Sequence, residues 1–144
     1  MNKNIIVVGA NQTGLIFATF ARNAGFDVTV YEAKKQCDVA YDWTDDMVEE
    51  TFKEVGLPLP PKEIYTRKRN WTFVPPEKGV NILMDLPDDQ LDMAIYRRPF
   101  NAWLLSRAEC AGVKVFYETP VKRAVVENNV VLGVELANGE VVSA

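Results

Sequence analysis

Histidine is absent from this 144-residue chain. That excludes Ser-His-Asp and Cys-His catalysis and most zinc sites, which draw on imidazole. Cysteine is scarce. Cys37 and Cys110 are the only two, and their spacing fits neither a disulfide framework nor a Cys-x-x-Cys redox motif, so a reduced, cytoplasmic chain is expected. An excess of positive charge is missing as well. Sixteen Lys and Arg stand against twenty Asp and Glu, a net charge of −4, which argues against a general nucleic-acid surface. Long apolar runs are lacking too: Ile5 to Ala10 is too short for a signal core or a membrane span. What is present is a hydrophobic fraction of 48%, enough for a core, in a length that suits one domain over residues 1–144.

The hydrophobic pattern organises the chain. Ile5-Ile6-Val7-Val8 is a β-branched run bounded by Gly9, as in a strand of a parallel sheet buried on both faces. Thr13 to Ala24 is apolar and rich in small residues, and Gly25 is a helix stop. Val28 to Tyr31 is a second strand, completing a βαβ unit. The spacing of Met47, Val48, Phe52 and Val55 predicts a helix over Asp45–Val55, with Thr44 or Asp45 as its cap. The proline-rich stretch from Leu57 to Lys62 reads as a surface connection. Trp71–Val74 and Ile82–Met84 are expected as strands of an excursion from the main sheet, and Met93–Tyr96 as another strand.

Pro99 suits a helix start, and Phe100, Trp103, Leu104, Ala108 and Ala111 share one helical face. Val113 to Tyr117 is the next strand. The junctions Ala24-Gly25-Phe26 and Ala111-Gly112-Val113 read as equivalent joints of one parallel sheet. The tail changes character: Val121–Val126, Val130–Leu136 and Glu140–Val142 are short strands joined by turns at Asn128-Asn129 and Asn138-Gly139. The expected fold class is α/β, a Rossmann-like domain whose parallel sheet carries an antiparallel β-meander.

The chemistry-bearing segment is Gly9-Ala10-Asn11-Gln12-Thr13-Gly14, set between strand and helix as the dinucleotide fingerprint requires. Gly9 permits the tight turn, and Gly14 lets the helix approach the strand. The helix N-terminus offers N–H groups and a positive dipole end to a pyrophosphate. Glu32 closes the second strand, eighteen residues after Gly14, where an acid accepts hydrogen bonds from ribose hydroxyls. It would repel a 2′-phosphate, so FAD or NAD is favoured over NADP despite Lys34 and Lys35. The middle glycine of the pattern is Asn11. Asn tolerates left-handed backbone angles, but its side chain takes space that phosphates would use. Either the loop shifts and binding weakens, or the side chain turns away.

Residues Ile5 to Glu32 resemble the FAD-binding start of the geranylgeranyl-reductase-like flavoproteins, which share a fold with the p-hydroxybenzoate-hydroxylase type of monooxygenase. That group's loop runs Gly-Ala-Gly-Pro-Ala-Gly; here Asn11, Gln12 and Thr13 depart from it. Tyr96-Arg97-Arg98-Pro99-Phe100-Asn101-Ala102-Trp103-Leu104 is similar to the group's Arg-x-x-Phe-Asp-x-x-Leu segment, with Asn101 in place of the Asp. The resemblance implies an Arg97 near the FAD, where a guanidinium pairs with phosphate or hydrogen-bonds the flavin. The alternative for Arg97 and Arg98 is a solvated helix start, which without an anionic partner is unfavourable. The candidate cofactor-binding set is therefore Gly9, Ala10, Asn11, Gln12, Thr13, Gly14, Glu32, Ala33, Lys34 and Arg97.

The resemblance further implies a flavin-dependent reductase or monooxygenase that draws electrons from NAD(P)H and acts on a small-molecule or lipid-like substrate. Such proteins continue into a strand with an Asp-Gly motif and a substrate domain, so residues 1–144 are expected to be the cofactor part of a longer enzyme, a split product, or a degenerate relative. A nucleotide-binding or interaction module without catalysis and an NAD-dependent dehydrogenase domain are the competing readings. The sheet edge near Val141 invites pairing with a second copy or a complementary downstream domain. Cys37 reads as a structural or incidental thiol and Cys110 as core. Arg67-Lys68-Arg69 reads as a solvated strand edge, and Asp88, Asp89 and Asp92 as a surface turn.

Overall fold

The computed structural model describes residues 4–77 and 79–144. In chain order the elements are β1 (Asn4–Val8), α1 (Gln12–Asn23), β2 (Asp27–Tyr31), β3 (Thr44–Met47), α2 (Glu49–Glu54), β4 (Tyr65–Lys68), β5 (Asn70–Phe73), β6 (Ile82–Asp85), β7 (Asp92–Tyr96), α3 (Arg97–Cys110), β8 (Lys114–Phe116), β9 (Val121–Glu127), β10 (Val130–Leu136) and β11 (Val141–Ser143). Two compact units result: the described residues up to Tyr41 together with Asn101–Ala144, and Asp42–Phe100.

The first unit contains the expected βαβ arrangement. β1 lies parallel to β2 with Ile5 opposite Val28 and Val7 opposite Val30, and β8 lies parallel on the other side of β2 with Tyr31 opposite Phe116. The order is β1-β2-β8. α1 buries Leu15, Ala18, Thr19 and Ala21. The two glycine joints are equivalent in detail. Gly25 and Gly112 have φ of +91° and +88°. The Phe26 N–H donates to the Ala21 carbonyl as the Val113 N–H does to that of Ala108, the hydrogen bond of a Schellman ending.

β9, β10 and β11 form the antiparallel meander, in the order β11-β10-β9. Asn128 and Asn129 both sit at positive φ, 49° and 63°, as a two-residue hairpin turn demands. The meander's apolar face carries Val134 and Leu136, which cluster with Tyr31 of the parallel sheet; Ile6, Val121 and Val142 pack against them. On β10, the Glu135 carboxylate accepts from Lys122 and Arg123, each at 2.6 Å. These bonds hold its carboxyl below the usual value, Lys122 first and Arg123 next. A depressed carboxyl contributes stability above the unfolded-state pKa and loses it as pH falls through the folded one. Glu135→Gln is therefore expected to flatten the acid limb of a stability–pH profile, measured by urea unfolding across that limb, while leaving neutral-pH cooperativity intact.

In the second unit β7 is the central strand of an antiparallel sheet, order β3-β7-β4. Met93, Ala94 and Ile95 on it are buried, together with Phe52, Leu57 and Phe100. Phe52 and Phe100 meet edge to face, with centroids 6.0 Å apart. Here the sequence reading needs correction. Residues 44–47, expected to cap and begin a helix, are a strand paired along β7, with Thr44 opposite Tyr96 and Met47 opposite Met93. α2 starts only at Glu49, with no side-chain cap. Pairing beside a buried strand outweighs the helical spacing of Met47 and Val48, because it satisfies the backbone of four residues and brings Asp45 to Arg97 at the start of α3 and Asp46 to Lys68 of β4.

α3 likewise begins at Arg97, before Pro99. Cys110, expected in the core, is exposed, because Leu104, Leu105 and Ala108 form the buried stripe. The excursion strands pair as the β5–β6 hairpin, Trp71 opposite Met84 and Phe73 opposite Ile82. No helix among the described residues is long and apolar enough to cross a membrane.

Candidate functional site

The loop after β1 is built as its glycines require. Gly9 has φ +103°, a conformation that side chains with a Cβ rarely adopt. Its N–H donates to the Tyr31 carbonyl at 2.8 Å, so the turn starts at the end of β2. A Cβ on Gly14 would stand 2.0 Å from the Gly9 carbonyl oxygen. Helix and loop touch there through backbone alone.

Glu32 reaches this loop from β2. The residue is buried, and its two carboxylate oxygens are divided between backbone donors. Oε2 accepts from the Ala10 N–H and Oε1 from the Lys34 N–H, both at 2.8 Å. Ala33 and Lys34, which follow Glu32, are both exposed. Each carboxylate oxygen retains acceptor capacity beyond this one bond.

Asn11 resolves the alternatives that the sequence left open. Its backbone is extended, φ −81° and ψ −178°, and not left-handed. Its side chain turns onto the helix as the N-cap, accepting from the Gly14 N–H at 3.2 Å. Asn is among the best N-cap residues. The cost for an anion is that one of the helix's free donors already has a partner. Gln12 and Thr13 open α1 behind it.

Asn101, which the sequence reading marked only for its missing charge, is buried in the first unit. Its side-chain N–H donates to the Ala10 carbonyl at 3.3 Å. Tyr117 was not singled out at all. Its hydroxyl oxygen is buried with no hydrogen-bond partner among the described residues. Burial first, then the charges of Glu109 and Glu32, push that hydroxyl's pKa up. A buried polar group without a partner calls for an explanation, and no sequence motif marks this one.

Arg97 lies in the second unit. Its guanidinium donates to Asp45 at 2.6 Å, and Arg98 donates to Asp42 at 2.7 Å. The anionic partners that this helix start requires are thus supplied by β3 and the residues before it. The two arginines line a cavity of about 450 Å³ with Trp43, Tyr96 and Pro99. Arg67, Lys68 and Arg69 pair with Glu49, Asp46 and Asp88. Among the described residues no group of three or more His, Cys, Asp or Glu is arranged to hold a metal.

The fold and the loop have the form of the FAD/NAD(P)-binding α/β domains. Comparison with known proteins narrows it. The chain is 29% identical over 138 residues to digeranylgeranylglycerophospholipid reductase 1 of Methanopyrus kandleri, covering 94% of this chain and 35% of that protein. Reductase 2 of the same organism is 29% identical over 136 residues, with 94% and 33% covered. The chain thus spans about a third of the length of these relatives.

Among solved structures, a geranylgeranyl bacteriochlorophyll reductase-like protein from Thermoplasma acidophilum superposes with a TM-score of 0.78 at 18% identity, over 97% of this chain and 36% of that one. PqsL of Pseudomonas aeruginosa, described as a probable FAD-dependent monooxygenase, superposes with a TM-score of 0.76 at 13% identity, over 97% and 40%. No protein-family model matches. These likenesses support the geranylgeranyl-reductase-like group, with the p-hydroxybenzoate-hydroxylase fold, that Ile5–Glu32 and the Arg97 segment resemble.

Proposed function

We propose that this chain is the FAD-binding portion of a flavin-dependent oxidoreductase of the reductase or monooxygenase type. The observation that carries this reading is Glu32. A buried carboxylate at the end of β2, bonded to the N–H of the glycine loop, presents acceptors where a ribose would lie. It also repels a 2′-phosphate, which favours FAD or NAD over NADP. The positive φ of Gly9 and the backbone contact at Gly14 fit a dinucleotide cradle, and the unpartnered Tyr117 hydroxyl fits a site completed from outside the chain. Residues 9–14 would face the pyrophosphate, with Glu32, Ala33 and Lys34 at the adenosine end. Arg97 is assigned to the flavin side on its resemblance.

The flavin supplies hydride chemistry when bound; the chain's part is to bind and orient it. The M. kandleri relatives are named for a glycerophospholipid bearing geranylgeranyl chains. A lipid-like substrate and NAD(P)H as electron donor are therefore the expectations for a complete enzyme. Cytoplasmic residence remains our reading of the cysteine usage.

Calorimetric titration of the chain with FAD, NAD, NADP and ADP tests the proposal. FAD binding, with NADP the weakest of the four, supports it. Absence of binding to all four, in the Asn11→Gly variant as well, overturns it. A second reading, a nucleotide-binding module that has lost the flavin, is favoured by one observation, the Asn11 cap on the Gly14 N–H. Asn11→Gly separates the two. Glycine costs an N-cap only a few tenths of a kcal/mol and frees the donor. The FAD and ADP affinities are expected to rise by roughly three- to tenfold, read as the shift in Kd. Unchanged affinities would mean that the cap does not compete with phosphate.

A further inference from the structure

The Ala10 peptides are held from two sides. The Ala10 N–H donates to Glu32 Oε2 at 2.8 Å. The Ala10 carbonyl accepts from Asn101 Nδ2 at 3.3 Å. Ala10 is fully buried and Asn101 is 7% exposed, so water does not substitute for either contact. Because the acceptor is a carbonyl, the side chain must present N–H, and aspartate in its ionised form has none.

The consequence reaches the next residue. In a planar trans peptide the C=O and the following N–H point in opposite directions. Drawing the Ala10 carbonyl into the interior where Asn101 is buried therefore turns the Asn11 N–H away from it, out of the loop. That N–H stands just before the first turn of α1, where backbone donors meet anions.

We propose that Asn101 is a positioning residue for the pyrophosphate of the bound dinucleotide. It holds the Ala10 carbonyl inward and so aims the Asn11 N–H at a phosphate. This rests on the dinucleotide reading above and adds a residue from α3 that touches no part of the ligand.

The test compares ADP with adenosine, which lacks phosphates, on the full 144-residue chain and its Asn101→Asp and Asn101→Ala variants, by calorimetry. ADP affinity is expected to fall about tenfold or more in both variants, and further in Asn101→Asp, whose carboxylate faces a carbonyl oxygen. Adenosine affinity is expected to stay within about twofold. A merely structural role would weaken both ligands in parallel, and that result overturns the inference, as does unchanged ADP binding in folded variants.

Should neither variant fold, the ¹⁵N-labelled wild type decides. ADP, and not adenosine, is expected to shift the Asn11 backbone and Asn101 side-chain amide resonances; no shift at either overturns it. Wild type that binds ADP while its variants behave alike removes only this inference. Wild type that binds neither ligand removes the dinucleotide reading and this inference together.

Discussion

Gly14→Ala is expected to be among the most damaging single substitutions in the first unit. The added Cβ would lie 2.0 Å from the Gly9 carbonyl oxygen, 3.2 Å from its carbon and 3.4 Å from Val7 Cγ1. Two of the three are backbone atoms of a turn whose N–H is bonded to β2, so no side chain can swing aside. α1 must lift from β1, and the burial of Leu15 and Ala18 goes with it. Overpacking of this kind costs about 1–3 kcal/mol and sometimes more, and the upper end is expected here, a fall in Tm on the order of 10 °C. Nucleotide binding should be lost with it. Gly9→Ala is the control: nothing stands within 4 Å of its Cβ position, and the penalty comes only from φ +103°. Thermal unfolding followed by circular dichroism would refute the packing argument if the two variants melted together.

Glu32→Ala should have the largest effect on ligand affinity among variants that still fold. It removes the carboxylate acceptors of the Ala10 and Lys34 N–H groups. The Ala10 donor is buried and has no water to turn to. A stability loss of about 1–3 kcal/mol is expected from that group. For ADP or FAD the loss adds charge-assisted bonds to ribose hydroxyls, an expected weakening of about 10- to 100-fold. Glu32→Gln keeps the shape but sets an NH₂ against one of the two N–H donors, so it should fall between. A folded Glu32→Ala chain with wild-type ADP affinity would sink the assignment of this carboxylate to the ribose.

The parts of the fold legible in the sequence are those where local chemistry and tertiary context agree. Ile5–Val8, the small-residue helix and Val28–Tyr31 announce themselves as elements, although the first strand, read as buried on both faces, buries only Val7 and leaves Val8 exposed, and glycine at 25 and 112 has a single conformational use. The Asn-Asn turn belongs with them. The helix expected over Asp45–Val55 misled because the apolar spacing of residues 47–55 is real, but Met47 serves it from a strand whose partner, β7, lies far along the chain. Cys110 misled because a cysteine's burial depends on which stripe of α3 faces inward, and Leu104, Leu105 and Ala108 set that stripe.

In the candidate site, Gly9 and Gly14 are legible because their roles are backbone roles; Glu32 is legible as an acceptor for ribose hydroxyls, but its bonds to the Ala10 and Lys34 N–H groups are not. The parts played by Asn11 and Asn101 are not legible either. An asparagine is donor and acceptor at once, and only coordinates reveal that residue 11 accepts while residue 101 donates.

The pairing of Thr44 with Tyr96 and the Asp42–Arg98 ion pair at 2.7 Å fasten the entry and exit of the Asp42–Phe100 unit to each other. That has a kinetic meaning. Parallel pairing of Tyr31 with Phe116 demands closure of a long loop, whose entropy grows with its length, and such distant contacts slow folding. Once the inserted unit has formed, most of the intervening chain no longer counts toward that loop, and β8 reaches β2 as though across a short connection. Loop-closure entropy therefore favours an order in which the inserted unit forms first and the parallel sheet closes last.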